Sequence, residues 1–114
     1  MNMDIEDIVV RLKQFTQDRD WDQYHSPKNL AISLAVEAGE LLEIFQWLPE
    51  NHPYDETVHK KASEEIADIL IYAIMFSQKM DIDIEESVLE KIQLNEKKYP
   101  VDKAKGIATK YDEL

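Results

Sequence analysis

The segment between Asp68 and Lys79 constrains the fold more than any other part of the chain, because it contains no charged residue. Its residues from 69 to 76 read ILIYAIMF, and in a helix their side chains point in every direction. A helix that is apolar on all sides has to be buried on all sides. One small domain offers too little protein to surround such a helix, so we expect part of it to lie in a subunit interface.

Turn-forming residues are scarce, which favours long helices. Two glycines and four prolines are too few for a sheet of many short strands. Ser26 followed by Pro27 is a typical helix start, because the serine caps the helix and the proline needs no hydrogen bond there. We therefore predict an all-α fold, a four-helix antiparallel bundle in a single domain over residues 1–114. The expected helices cover residues 5–17, 27–48, 56–79 and 83–99, with an extended or irregular tail over 101–114.

The formal net charge of −11 excludes several classes of partner. Binding of nucleic-acid polymers or anionic membranes needs clustered Lys and Arg, so we expect neither partner. An acidic protein that handles phosphates needs a metal ion between its own negative charge and that of the phosphates.

The chain has no cysteine, which excludes disulfides and Cys-ligated zinc. The acidic N-terminal stretch MNMDIEDIVV does not resemble a signal peptide and no apolar run reaches membrane-spanning length, so we expect a soluble, cytoplasmic protein.

Two pairs of carboxylates have the spacing of a metal site. Glu37 and Glu40 are three residues apart on the second helix, and Glu65 and Asp68 repeat this spacing on the third. Residues three apart lie on one helix face, so two adjacent helices would bring four acids together. Oxygen ligands of this kind suit Mg²⁺. The alternative is two solvated surface pairs, but Asp68 borders the apolar segment, where an acid is expected to be paired or metal-bound.

Basic residues late in the chain and aromatic residues on or before the second helix have two interpretations each. Six lysines fall between Lys91 and Lys110 and form either a phosphate-facing patch or a solvated helix end. Trp47 lies on the same helical stripe as Asn29, Glu37 and Glu40, and His25 precedes that helix. The Trp47 side chain would stack on a nucleobase or serve as an ordinary core or interface residue.

Two spans resemble a known family. The segments HSPKNLAISLAVEAGELLEIFQW (25–47) and EEIADILIYAI (64–74) resemble the MazG-like all-α nucleotide pyrophosphohydrolases, whose motif is E-E-x-x-E followed by E-x-x-D. The stretches 37–40 and 65–68 match that motif, and Val36 replaces its first Glu. This replacement fits the dCTP pyrophosphatase-like subgroup. That subgroup's R-D-W, H-x-P-x-N-L, F-Q-W, D-x-L-I-Y, N-x-x-x-Y-P-V and K-Y-x-E-L elements match this chain in order within residues 18–114.

The resemblance implies a tight homodimer or homotetramer with sites at subunit contacts. It implies a nucleoside triphosphate substrate, most simply dCTP or a modified dCTP, cut to monophosphate and pyrophosphate as nucleotide-pool cleansing. The implied Mg²⁺ ligands are Glu37, Glu40, Glu65 and Asp68. The implied catalytic residues are Glu37 or Glu40, which would activate the water, and Lys91, which would balance the pyrophosphate charge. The implied substrate-binding residues are His25, Asn29, Trp47, Tyr72, Lys91, Asn95 and Tyr99.

Three alternatives remain at this stage. The first is a non-catalytic helical oligomerisation or interaction module with a solvated acidic face. The second is a related enzyme with dUTP or broader dNTP specificity. The third, a phosphoribosyl-ATP pyrophosphohydrolase, is disfavoured by His25 and Trp47. A ferritin-like di-iron bundle is excluded, because it needs Glu-x-x-His on two helices and only Glu56 and His59 form one.

Overall fold

The computed structural model describes residues 4–114, and over that range all regular secondary structure is helical, without a strand. The predicted all-α class is therefore confirmed. Met1 to Met3, part of the stretch used to argue against a signal peptide, lie outside the described residues. The helices are α1 (Ile5–Asp18), α2 (Pro27–Phe45), α3 (Glu56–Lys79), α4 (Ile84–Lys98) and α5 (Val101–Ala104), and 3₁₀ turns occur at Asp22–Tyr24 and Tyr111–Glu113.

Each of the four long helices begins at a side-chain cap. Asp4, Ser26 and Asp83 each accept a hydrogen bond from the backbone N–H three residues on, which at Ser26 confirms the predicted start of α2. Asp55 caps α3 in the same way, by accepting from Val58 N at 3.0 Å. Caps of this kind satisfy backbone donors that have no partner within the helix, which fixes where each helix starts.

Two boundaries differ from the sequence prediction. Helix α2 ends at Phe45 rather than near Leu48, because Pro49 disfavours a helical conformation for the residue before it and the chain turns first. The tail is not irregular throughout, since it contains α5 and the second 3₁₀ turn. Pro100 starts α5, where its carbonyl accepts the N–H groups of Lys103 and Ala104 at 3.0 and 2.9 Å.

Helices α1 to α3 belong to a compact unit that spans Met1–Asp81. Helices α2 and α3 pack side by side and antiparallel. Leu30 near the start of α2 lines one cavity with Ile74 near the end of α3, whereas Glu37, later on α2, meets Glu65, which is earlier on α3. Leu30 and Ile74 are the buried hydrophobic side chains of the described residues, only 1% and 6% exposed. Helix α1 packs against α3, so the core lies among the three helices.

Much apolar surface of this unit is not covered within a single chain. The helix that the sequence predicts to be buried all round, α3, leaves Leu70 53% exposed and Ile66 47% exposed. On α2, Val36 and Leu42 are also more than half exposed. Burial on every side is therefore not achieved by one chain, and the expected subunit interface stays a prediction.

The second compact unit, Ile82–Leu114, contains α4, α5 and the last 3₁₀ turn. Within it the rings of Tyr99 and Tyr111 pack edge to face with centroids 6.2 Å apart. The Lys98 ammonium lies 4.8 Å from the centroid of the Tyr111 ring. The four-helix antiparallel bundle and the single domain over residues 1–114 stay predictions. No helix in the described part of the chain is long and apolar enough to cross a membrane.

Candidate metal and nucleotide site

Three carboxylates meet where α2 and α3 pack. Glu37, Glu65 and Asp68 each contribute one oxygen, and these oxygens lie within 4.8 Å of one another. All three side chains are partly buried. Among the described residues no Lys or Arg forms an ion pair with them. We call these three residues the acidic cluster.

The helical spacing explains why these acids converge. Glu65 and Asp68 are three residues apart on α3 and so share one face, which is turned toward Glu37 of α2. Glu40, one turn after Glu37, is exposed and lies outside the closely spaced set of oxygens. It is nevertheless close enough to raise the pKa of Glu37. The structure thus brings three of the four expected ligands together and places the fourth next to them.

The cluster has negative charge that nothing in the described residues compensates. Oε2 of Glu37 and Oε2 of Glu65 are shielded from solvent and have no hydrogen-bond partner. The pKa of Glu37 is raised to about 7, first because its protonated form hydrogen-bonds to Glu65 and Glu40, then by burial and their charges. A shared proton or a cation would relieve this repulsion. Because every donor is a carboxylate oxygen, the cluster fits a hard divalent ion.

Tyr72 lies close enough to the cluster to feel its charge. Burial raises the pKa of the Tyr72 hydroxyl, and the negative charges of Glu37, Asp68 and Glu40 raise it further. The hydroxyl therefore stays protonated at neutral pH and remains a hydrogen-bond donor beside the carboxylates.

An aromatic cavity of about 420 Å³ adjoins the cluster. Its lining includes Phe15 of α1, Trp21 and His25 from the α1–α2 connection, and Tyr72 of α3. Asp68 belongs both to this lining and to the acidic cluster, so a ligand in the cavity would lie next to the carboxylates. The size and the mixture of apolar walls with a few polar groups are typical of a small-molecule site.

The wall formed by Phe15 is held from two sides. The rings of Phe15 and Trp21 meet edge to face, 5.6 Å apart at 74°. The guanidinium carbon of Arg19 lies 3.9 Å from the Phe15 centroid, and Arg19 Nη1 donates to the Phe15 carbonyl at 3.1 Å. No site role was predicted for Phe15 or Trp21, although the R-D-W motif that contains Trp21 was a usable signal.

The structure distributes the other predicted site residues unevenly. His25 and Tyr72 line the cavity. Asn29 supports the preceding loop, since its side-chain Nδ2 donates to the Tyr24 carbonyl at 3.0 Å. Trp47 lies in the turn after α2 and is 85% exposed.

The remaining predicted substrate contacts lie on the second unit. Lys91 and Asn95 are four residues apart on α4, and Tyr99 follows after four more, so the three follow one face. All three are exposed. Their roles, like those assigned to Trp47 and Asn29, stay predictions.

Comparison with known proteins identifies the family. The model of the MazG-like family matches residues 32–114. The chain belongs to the MazG-like family. This MazG-like chain is 38% identical over 114 residues to dCTP pyrophosphatase 1 of Bos taurus, with 96% of the chain and 68% of the relative covered. It is 35% identical to dCTP pyrophosphatase 1 of Homo sapiens, with 96% and 67% covered.

A solved structure agrees with the fold of this MazG-like chain. A pyrophosphatase from Archaeoglobus fulgidus DSM 4304 superposes with a TM-score of 0.78 and 39% sequence identity, covering 88% of this chain and 95% of that one. The predicted family and enzyme class, a nucleoside triphosphate pyrophosphohydrolase, are thereby confirmed. The alternative of a non-catalytic interaction module is set aside.

Proposed function

We propose that this enzyme hydrolyses deoxynucleoside triphosphates to monophosphates and pyrophosphate with Mg²⁺, and that dCTP or a modified dCTP is its preferred substrate. The observation that carries the proposal is the contact between the acidic cluster and the aromatic cavity through Asp68. A nucleotide needs both features, an apolar wall for the base and compensated charge for the phosphates. The dCTP pyrophosphatase relatives favour cytosine as the base.

Glu37, Glu65 and Asp68, joined by Glu40, would hold the Mg²⁺ ion. When bound, the ion supplies positive charge for the phosphates and lowers the pKa of a coordinated water. The oxygens of Glu37 and Glu65 that lack partners support this assignment, because an unpaired buried carboxylate is otherwise costly. The net charge of −11 adds a second reason, since a triphosphate would be repelled without a cation.

The chain's own residues activate the attacking water and hold the substrate. Glu37 or Glu40 accepts a proton from the water that attacks the α-phosphorus, and the bond from that phosphorus to the bridging oxygen breaks as pyrophosphate leaves. The Tyr72 hydroxyl, whose pKa is raised by burial and by the carboxylates, would donate a hydrogen bond to the substrate. Phe15, Trp21 and His25 provide the walls for the base.

We assign the phosphate-facing role to Lys91, Asn95 and Tyr99, and a further base contact to Trp47. All four side chains are exposed, which leaves them free to meet a substrate or a second subunit. The enzyme acts as a homodimer or homotetramer in this proposal, because Val36, Leu42, Leu70 and other apolar side chains are uncovered in one chain.

A pyrophosphate-release assay tests the proposal. The protein is incubated with each natural dNTP and with 5-methyl-dCTP, once with Mg²⁺ and once with EDTA. We expect pyrophosphate and monophosphate with Mg²⁺, the highest kcat/KM for the cytosine nucleotides, and no turnover in EDTA. Glu65→Gln should abolish turnover, whereas Glu56→Gln, which removes an exposed carboxylate nine residues earlier on α3, should not. Failure to cleave any dNTP, or release of inorganic phosphate instead, would refute the proposal.

A further inference from the structure

The connection between α1 and α2 carries two cavity residues, yet it has little regular structure. Residues 19–26 contain one 3₁₀ turn, Asp22–Tyr24, and this connection places Trp21 and His25 on the cavity wall. Its backbone is tied to the preceding helix by the Trp21 N–H, which donates to the Thr16 carbonyl at 3.0 Å. On the other side, Asn29 of α2 donates to the Tyr24 carbonyl.

One side-chain hydrogen bond joins this connection to α3. Lys79 Nζ donates to Asp22 Oδ1 at 2.7 Å, across 57 positions of sequence. Every other side-chain hydrogen bond found in residues 4–114 joins residues at most five positions apart. Lys79 lowers the pKa of the Asp22 carboxyl through this hydrogen bond and then through its charge, so this carboxyl is ionised at neutral pH.

The pair lines a different cavity from the one that Asp68 lines. A second cavity, of about 250 Å³, is lined by Asp22, Lys79 and His25, and His25 also lines the aromatic cavity. Lys79 is the last residue of α3, eleven positions after Asp68 and about 16 Å along the helix axis. Lys79 is therefore too far from the carboxylates to contact the reacting phosphate.

We propose that the Lys79–Asp22 ion pair positions Trp21 and His25 against the nucleotide cavity, so that Lys79 acts as a positioning residue for substrate binding. The inference rests on the proposed function, in that the aromatic cavity is taken to hold the base. The hydrogen bonds to α1 and α2 do not fix the position of the connection relative to α3, which carries Tyr72 and Asp68. The ion pair opposes a shift between them.

The size of the effect follows from the exposure of the pair. The Lys79 and Asp22 side chains are 33% and 68% exposed, and pairs of this kind contribute a factor of about two to five to an equilibrium. We expect Lys79→Met and Asp22→Ala each to raise the KM by about that factor and to change kcat by less than about twofold. Because both substitutions remove the same contact, the double variant should have the KM of a single one. Lys79→Arg should keep the wild-type KM.

Lys60→Met is the matched control, since it removes one exposed lysine from the same helix at a distance from the connection. A second measurement needs no nucleotide. In the ligand-free protein, amide hydrogen exchange over residues 19–26 should be faster in Lys79→Met than in wild type, and Lys60→Met should match wild type. Exchange over α2 and the rest of α3 should be unchanged.

The outcomes separate this inference from the proposed function. If wild type cleaves no dNTP, the proposed function fails, and the positioning role of the pair for nucleotide binding fails with it, whatever the exchange shows. If wild type is active but Lys79→Met changes neither KM nor exchange, only the ion-pair inference is overturned. Faster exchange without a change in KM would also overturn it. So would a double variant whose rise in KM equals the product of the two single-variant rises.

Discussion

At the scale of single residues, Glu37 is the side chain whose environment departs most from that of a free acid. Its pKa is raised to about 7, so the folded protein without metal binds this proton more tightly than the unfolded chain, whose pKa is near 4.5. The resulting stabilisation is complete below the unfolded pKa and is lost as the pH rises through the folded pKa. We expect the thermal midpoint in EDTA to fall between about pH 5 and 8 by more in wild type than in Glu37→Gln. An equal fall in both proteins would contradict this origin.

A divalent ion bound by the same carboxylates should raise the thermal midpoint at the pH where loss of the Glu37 proton lowers it. Above its pKa Glu37 is ionised, and a bound cation stabilises the folded state in proportion to the logarithm of its concentration over Kd. At a concentration of about 100 Kd this amounts to about 2.7 kcal/mol. We expect Mg²⁺ to raise the thermal midpoint of wild type and of Glu56→Gln near pH 8, and to leave Asp68→Asn unchanged. An equal shift in Asp68→Asn would place the ion elsewhere.

The sequence predicted those site residues whose spacing along one helix is visible, and it did not predict those brought together by the packing of different helices. The spacing of Glu65 and Asp68 on one helix, and a facing pair on another, was enough to predict the cluster. Phe15 and Trp21 lie more than forty positions from Asp68, and helical periodicity carries no information on which side of α3 the first helix packs. Their place in the cavity wall depends on tertiary packing, which residue spacing does not show, and for Trp21 the R-D-W motif was the sequence signal that could have indicated it.

At the scale of elements, the start of α3 depends on one side chain. The Asp55 carboxylate accepts from Val58 N at 3.0 Å and satisfies a donor that the helix itself cannot. We expect Asp55→Ala to lower the free energy of unfolding by about 1 kcal/mol, and Asp55→Ser to recover most of it because serine caps equally well. Urea unfolding of the three proteins measures this. A stability of Asp55→Ser no higher than that of Asp55→Ala would argue against the cap.

The elements themselves were predictable where their signals are local. Caps and the Ser26–Pro27 start lie within a few residues of the helix that they begin, and the structure has those helices nearly in place. The tail was misjudged, because its 3₁₀ turn forms where Tyr111 packs on Tyr99, twelve positions earlier. The end of α2 was misplaced by three residues, because its apolar pattern continues to Leu48 after the helix has ended.

At the scale of the whole molecule, the exposed apolar surface is the main feature that one chain does not explain. Buried hydrophobic side chains in the described residues are few, Leu30 and Ile74, while large side chains on α2 and α3 face outward. A domain of this size buries a limited fraction of its surface by itself. The sequence anticipated this feature from the uncharged segment after Asp68, but periodicity could not say which side chains of that segment stay uncovered.

Leu70 offers the sharpest test of the predicted assembly. It is 53% exposed and lies two residues after Asp68, which on a helix turns it to roughly the opposite side from the acidic cluster. If this face packs against a second subunit, Leu70→Asp places a carboxylate where it would have to be desolvated without a partner, which costs more than the contact returns. We expect wild type to sediment as a dimer or tetramer and Leu70→Asp to sediment as a smaller species with a lower thermal midpoint. Thr57→Asp, which adds the same charge at an exposed position near the start of α3, should sediment like wild type. A monomeric wild type, or an unchanged assembly in Leu70→Asp, would show that this face is not the subunit contact.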